Sequence, residues 1–362
     1  MQKLALLALC ATTLLAADAP KPLRLAIAGL VHGHVDGFFR AAQKNGNVEI
    51  AGIFDPDVTL HHKYAEKYGF PESIFYTNLG KMLDQVKPEA VASFTSTFDH
   101  PLVVEACAPR HIHVMMEKPL AVSMDHARAI ERASAKGNIQ VIVNYETTWY
   151  KSHGEIHALF QNKQATGDIR KMVAMDGHQG PKEIHVGPEF FAWLTDPAKN
   201  GAGALFDFGC YGANLMTWML DNQHPIAVTA ITQHNKPAIY PRVDDEATIL
   251  VQYAKAQGII QGSWNWPFSR KDFEVYGESA YAIATGGEGL RVRIGKDKDK
   301  EETRTPSVLP ADERDSISYL TAVVRGRLKP SGLSSLENNM IVTEILTAAR
   351  ESAQTGRTIR LK

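Results

Sequence analysis

Between residues 23 and 143 the chain alternates short apolar runs with stretches of helical periodicity. This alternation constrains the fold more than any other feature. An apolar run over 23–28 stops at Gly29, and a helix is predicted over 35–43. A second run over 48–54 ends at Asp55-Pro56-Asp57, followed by a helix over 59–68 closed by Gly69 and Pro71. A short helix over 82–86 and a strand over 88–95 come next, then a helix over 101–108 and a strand over 112–116. Ser123 is placed to cap a helix that Gly137 would stop, and one more strand is predicted over 139–143. Runs this short and this apolar are strands covered on both faces. Strand and helix in strict alternation give an α/β unit with a doubly wound parallel sheet.

From about residue 169 the pattern changes. Strand-like stretches follow one another over 169–174, 226–232, 247–253, 258–264 and 273–276, with Gly258 expected at a hairpin and one helix over 209–220 between them. That order predicts an α+β domain with a mostly antiparallel sheet. Residues 295–302 form a charge run, which reads as a solvated loop. Two further helices are predicted over 314–325 and 336–353. A length of 362 residues suits two such domains, read as 20–147 and 148–362, with the helix over 336–353 free to pack back on the first.

Residues 1–19 read as a separate object. Lys3, an apolar run over 4–9 and small residues at Ala16, Ala17 and Ala19 are the three parts of a secretory signal peptide. The apolar run is shorter than the ~20 residues of a membrane-spanning helix. The alternative is an N-terminal helix or first strand. The expectation is therefore an exported, periplasmic protein with no membrane span. Cys10, Cys107 and Cys210 are too few for a disulfide framework or a Cys-x-x-Cys zinc site. The 39 basic and 40 acidic residues argue against nucleic acid as a partner, because duplex binding needs a basic face.

A glycine between a strand and a helix lets backbone N–H groups approach a pyrophosphate. Only Gly29 falls in the G-x-G-x-x-G register here. The other two places hold Val31 and His34, with Gly33 one place early. Asp55, at the end of the second strand, is placed to accept the hydroxyls of an adenosine ribose and would repel a 2′-phosphate. This predicts NAD, with NADP less favoured. Fourteen histidines include the pairs 32/34, 61/62 and 111/113, the last at strand spacing. None has an identifiable partner set, so no metal is predicted. His32 and His34 fall in the nucleotide loop, where they can meet phosphate or nicotinamide.

Glu117-Lys118-Pro119, after an apolar strand and before a capped helix, resembles the Glu-Lys-Pro element of the glucose–fructose oxidoreductase / inositol dehydrogenase (Gfo/Idh/MocA) family. Gly29 to His34 resembles the nucleotide loop of some members, and Ser96-Thr97 with His100 resembles the fourth-strand loop. Trp193-Leu194-Thr195-Asp196-Pro197, the glycine-rich stretch after Gly201 and the Asp207-x-x-x-Tyr211 element also have counterparts, as do Asp244-Asp245-Glu246-Ala247 and Gln354-Thr355-Gly356. Most members carry His where this chain has Tyr211; glucose–fructose oxidoreductases and dimeric dihydrodiol dehydrogenases are similar to it in having Tyr.

The resemblance implies a Rossmann domain, an open-faced sheet domain and a nicotinamide at their join. It places Gly29, Val31, His32, Gly33, Asp55, Ser96, Thr97, His100, Glu117 and Lys118 at the cofactor. Lys118, Asp207 and Tyr211 fall at the reacting centre, and a homodimer or homotetramer is implied. Tyr145 and Trp193 are expected to line a sugar-binding cleft beside Asp207. The implied activity is NAD-dependent oxidation of a sugar, polyol or glycoside, with Lys118 and Tyr211 handling the proton. In that reading the Lys118 ammonium lowers the pKa of the Tyr211 phenol toward neutrality. Asp207 binds a second hydroxyl, orients Lys118 or caps a helix. Two other readings stand beside it: a glycoside hydrolase that oxidises its sugar transiently with tightly held NAD, and a non-catalytic sugar-binding member of the fold.

Overall fold

The computed structural model describes residues 21–295 and 300–361. The signal-peptide segment 1–19 and half of the charge run, 296–299, lie outside the described residues. Six strands make the first sheet: β1 (Leu23–Ala28), β2 (Val48–Phe54), β3 (Phe75–Tyr76), β4 (Ala90–Ser93), β5 (His113–Glu117) and β6 (Val141–Asn144). All pairs are parallel, in the order β3-β2-β1-β4-β5-β6. The order reverses between β1 and β4, which opens a crevice at their C-terminal ends.

Local chemistry sets the helix ends. The Asp57 carboxylate accepts from Thr59 N and begins the helix Val58–Tyr68, and Gly69 closes it at φ 69°. Ser123 caps Met124–Gly137 through His126 N. Gly137 is not the stop: Asn138 takes the left-handed position at φ 50°. Gly137 is needed for another reason. A Cβ there would lie 2.5 Å from the Ala108 carbonyl oxygen, where this helix crosses the preceding connection.

The second sheet has nine strands. They are β7 (Ile169–Gly177), β8 (Ala227–Gln233), β9 (Glu246–Gln252), β10 (Gln257–Ser263), β11 (Arg270–Gly277), β12 (Ala280–Thr285), β13 (Gly289–Ile294), β14 (Glu302–Arg304) and β15 (Ile359–Arg360). Their order is β14-β13-β12-β11-β7-β10-β9-β8-β15, with β7 and β10 the parallel pair and every other pairing antiparallel. The hairpin between β9 and β10 turns through Ala254 and Lys255. Gly258 therefore sits within β10, where a Cβ would meet the Met216 sulfur at 2.4 Å. The helix Gly209–Met219 lies on one face of this sheet, beside Leu336–Thr355.

The two domains interleave more than a single cut at residue 147 allows. The helix Ser316–Val324 packs Ile317, Tyr319, Leu320 and Val323 into the first domain's core with Leu25, Ile27 and Phe39. The helix Leu336–Thr355 packs on β8 and also on Met124–Gly137 of the first domain. Arg350 ties it down by donating to the carbonyls of Val122 and Gly201. Cys107 and Cys210 are buried and free. No helix among the described residues is long and apolar enough to cross a membrane.

Gly137→Ala tests the helix crossing. Ala is the better helix former by about 1 kcal/mol. Here overpacking dominates, and the substitution is expected to destabilise by about 1–3 kcal/mol in urea denaturation.

Candidate active site

The loop after β1 is held by backbone contacts. Gly29 has φ 86°, and a Cβ would lie 2.7 Å from the Thr95 nitrogen, so both conformation and space require glycine. Its N–H donates to the Phe54 carbonyl, and His32 N donates to the Phe94 carbonyl. The Asp55 carboxylate accepts from Leu30 N at 2.7 Å and Asp57 N at 2.9 Å. Asp55 thus fixes the loop as well as facing the crevice.

A cavity of about 530 Å³ opens there, lined by Gly29, Val31, Asp55, Ser96, Trp193 and Lys199 among others. The cradle at Gly29, the strand-order reversal and the carboxylate at the end of β2 fit a dinucleotide. Trp193 belongs to this cavity: its indole N–H donates to the Val31 carbonyl and its ring packs near His32. It therefore walls the nucleotide side, not the substrate cleft. Gly33 lies under the Phe190 ring, 3.0 Å from where a Cβ would stand. Thr97 and His100 are buried and do not line the cavity. The His100 ring sits behind the Glu-Lys-Pro turn, with Nδ1–H donating to the Leu120 carbonyl.

Lys118, at the end of β5, reaches across the domain join. Its Nζ donates to Asp207 Oδ1 at 2.5 Å and to the Asp207 carbonyl at 2.9 Å. The other carboxylate oxygen accepts from Trp264 Nε1 at 2.9 Å. Lys118 is 7% and Asp207 6% exposed, so the pair works at low dielectric. Burial opposes both charges, but each partner outweighs it. The Lys118 ammonium titrates above the usual lysine value, and Asp207 is held down at about 2. Asp207 ends the short helix Ala204–Asp207 and makes no side-chain cap to the next helix, so it orients Lys118 and is not an N-cap.

Tyr211 lies beside this pair, but not as a phenolate. Lys118 Nζ stands 4.9 Å from the centre of its ring. Burial, then the negative charge of Glu146, Asp207 and Glu117, push the phenol well above its ordinary value. The expected lowering by Lys118 is overturned: the ammonium is spent on Asp207 and faces the ring. Tyr211 keeps its proton. Tyr145 packs edge-on against Tyr211 at 5.6 Å and is fully buried, so it supports the site and does not line an open cleft.

Four residues complete the site that the sequence did not single out. Lys271 of β11 lies 5.0 Å from the Tyr211 ring centre and ion-pairs with Glu146. Asp176 of β7 is paired in register with Lys271. It is 1% exposed, and its Oδ2 has no partner among the described residues. Burial raises its carboxyl well above the usual range, although the nearby Lys271 ammonium pulls the other way. His178 follows two residues on. Cross-strand register, which no single-strand pattern contains, brings Asp176 and Lys271 together. The pair 111/113 is not on one strand face, because His111 has φ 55° and precedes β5.

Comparison with known proteins agrees with this fold. Residues 23–145 match the model of the oxidoreductase family with an NAD-binding Rossmann fold, and residues 155–283 match the GFO/IDH/MocA C-terminal domain. The chain belongs to the Gfo/Idh/MocA family. A trans-1,2-dihydrobenzene-1,2-diol dehydrogenase of Xenopus tropicalis is 24% identical over 220 residues, 59% of this chain and 61% of that protein. The chain thus spans about three fifths of that relative, and 47% of its Xenopus laevis counterpart. A scyllo-inositol 2-dehydrogenase (NADP(+)) of Bacillus subtilis is 18% identical over 82% of this chain and 85% of its own length. An inositol dehydrogenase homologue from Azotobacter vinelandii, solved with NAD+, shares the fold at a TM-score of 0.80 and 17% identity, covering 94% of this chain and 98% of that one. An aldose-aldose oxidoreductase from Caulobacter crescentus does so at 0.79 and 20%, covering 94% and 100%. As the family implies, the cofactor is NAD, and the loop, Asp55 and Ser96 are the parts of this chain that face its cavity.

Two outcomes test the electrostatics. Asp207→Leu leaves a buried ammonium unpaired and is expected to cost about 3–5 kcal/mol, while Lys118→Met with Asp207→Leu costs much less. A double-mutant cycle by denaturation reads the difference. Glu117 and Asp207 are both held at about 2 in the fold. Unfolded carboxyls titrate at about 4. Their contribution is complete above about pH 5 and is lost as pH falls toward 2. Urea midpoints measured across that range are expected to decline, less steeply in Asp207→Asn than in wild type.

Proposed function

We propose that the chain is an exported NAD-dependent oxidoreductase acting on a hydroxyl-bearing carbon of a sugar, polyol or glycoside. The observation that carries this reading is the buried ammonium of Lys118, fixed by Asp207 and facing Tyr211 at the domain join. Bound NAD supplies a hydride acceptor at that join. The protein supplies the rest. Lys118 and the neutral Tyr211 hydroxyl are donors for the reacting oxygen, and both stabilise negative charge that develops there. Asp176, a buried carboxyl beside Lys271 with an unpartnered oxygen, offers a further polar contact to a polyol. Carboxylates, lysines and phenols converging on one cleft suit a ligand rich in hydroxyls, and the diol and inositol dehydrogenases among the relatives support that class.

Asp55 favours NAD over NADP because its ionised form would repel a 2′-phosphate. Export rests on the signal-like segment at 1–19. A homodimer or homotetramer through the open sheet face is supported by Ile231 and Leu250, which stand exposed on neighbouring strands β8 and β9.

Lys118→Ala and Tyr211→Phe are each expected to reduce turnover at least about tenfold to a hundredfold while NAD still co-purifies. Mass spectrometry of the bound nucleotide and NADH absorbance with a sugar and polyol panel give both readouts. Unchanged turnover in both variants contradicts the assigned site. Aglycone release without net NADH would place the chain with the redox-assisted hydrolases instead.

A further inference from the structure

Another cavity, of about 430 Å³, shares no lining residue with the nucleotide cavity. None of Lys118, Asp207, Tyr211, Asp176 and Lys271 lines it. Its size falls in the range of small-molecule pockets, about 300–1,000 Å³. Four parts of the chain meet there: the 3₁₀ turn Glu146–Trp149, the helix Lys151–Gln161, the end of the helix Gly209–Met219, and the stretch 309–334.

Part of the wall is aromatic. Trp218 stacks on His157, with ring centres 4.0 Å apart and planes at 3°. Trp149 packs against Tyr319 at 5.7 Å. Such rings offer a flat apolar face and a polar edge. Two of the polar edges are already used. The Trp149 indole donates to Asn144 Oδ1 at 3.1 Å, and the Tyr319 hydroxyl accepts from Ser331 N at 3.3 Å. The Trp218 N–H has no hydrogen-bond partner among the described residues.

The rest of the wall is polar and unspent. Asp221 and Asn222 both line the cavity from left-handed backbone, at φ 51° and 59°, which Asn and Asp tolerate best after glycine. Asn222 Oδ1 accepts from Asn338, which leaves its amide N–H groups unpaired among the described residues. Asp221, Glu313 and Lys329 form an exposed rim and make no ion pair or side-chain hydrogen bond among the described residues. The hydroxyls of Thr148 and Ser334 stand in the wall, buried and without a partner. Buried hydroxyls are normally paired, so two orphans in one wall call for an occupant.

A glycine keeps the space open. Gly154 sits inside the helix Lys151–Gln161, where glycine costs about 1 kcal/mol against alanine. Nothing around it requires glycine. Its φ lies outside the left-handed region, and a Cβ would meet only Leu309 Cδ2, at an ordinary 3.7 Å. A longer side chain at 154 would fill the cavity.

We propose that this cavity is a second binding site, for a neutral, hydroxyl-rich ring of monosaccharide size. The lining decides the class. It holds donors in the Trp218 N–H, the Asn222 amide and Lys329, and acceptors in Asp221 and Glu313. An anion would satisfy only the donors and face two carboxylates. A cation would satisfy only the acceptors and face Lys329. A hydroxyl both donates and accepts, and the C–H face of a sugar ring suits an indole. The proposal does not rest on the oxidation reading, because the cavity is separate from the reacting centre.

The test is ¹⁹F NMR of the full chain labelled with 5-fluorotryptophan. Each of the five tryptophans gives its own resonance, and Trp218→Phe assigns the one at the cavity. D-glucose, D-xylose and myo-inositol are each raised to about 50 mM, past saturation of a millimolar site. At least one is expected to shift the Trp218 resonance saturably. Gly154→Met is expected to weaken that binding at least about tenfold, with a urea midpoint at or above that of wild type. Lys329→Met, on the exposed rim, is expected to weaken it too. A Trp218 resonance that no sugar moves leaves the cavity to water and overturns the proposal. Equal responses in wild type, Gly154→Met and Lys329→Met overturn it as well. So does a shift with choline or glycine and with none of the three sugars, which would make the occupant a charged one.

Discussion

The structure depends on one ion pair. Lys118 comes from the end of a parallel strand in the first domain, and Asp207 from a short helix on the second sheet. Two charges this deeply buried cost several kcal/mol each to desolvate, and that cost is met only if every lone pair and proton is matched. Here both carboxylate oxygens and two of the three ammonium protons are matched: Lys118 donates to Asp207 Oδ1 and to the Asp207 carbonyl, and the Trp264 indole donates to Oδ2. The pair therefore fixes the distance between the domains and the place of the ammonium together. Everything that lines the cleft, from Tyr211 to the Asp176–Lys271 register pair, is placed relative to it.

The first domain was legible because its signal is local. Parallel strands buried on both faces read as unbroken apolar runs, and β1, β2 and β4 to β6 fall at the expected places. The second domain was legible only where strands were long and apolar. β12 to β15 were missed because they are short or alternate buried with exposed residues, as in the pattern of β13. The helix Lys151–Gln161 was missed too. Its buried face is Ser152, His153, Ile156 and Phe160, half of it polar, which blurs the helical period.

Site legibility divides the same way. Glu117, Lys118 and Asp207 carry short motifs and could be named from the chain. The errors at Tyr211 and Trp193 concern surroundings. A lysine near a tyrosine lowers the phenol's pKa only if the ammonium is unpaired and faces the oxygen. Neither the pairing with Asp207 nor the nearness of Glu146 and Glu117 can be read from spacing. Asp176 and Lys271 lie 95 positions apart in the chain and meet through cross-strand register alone.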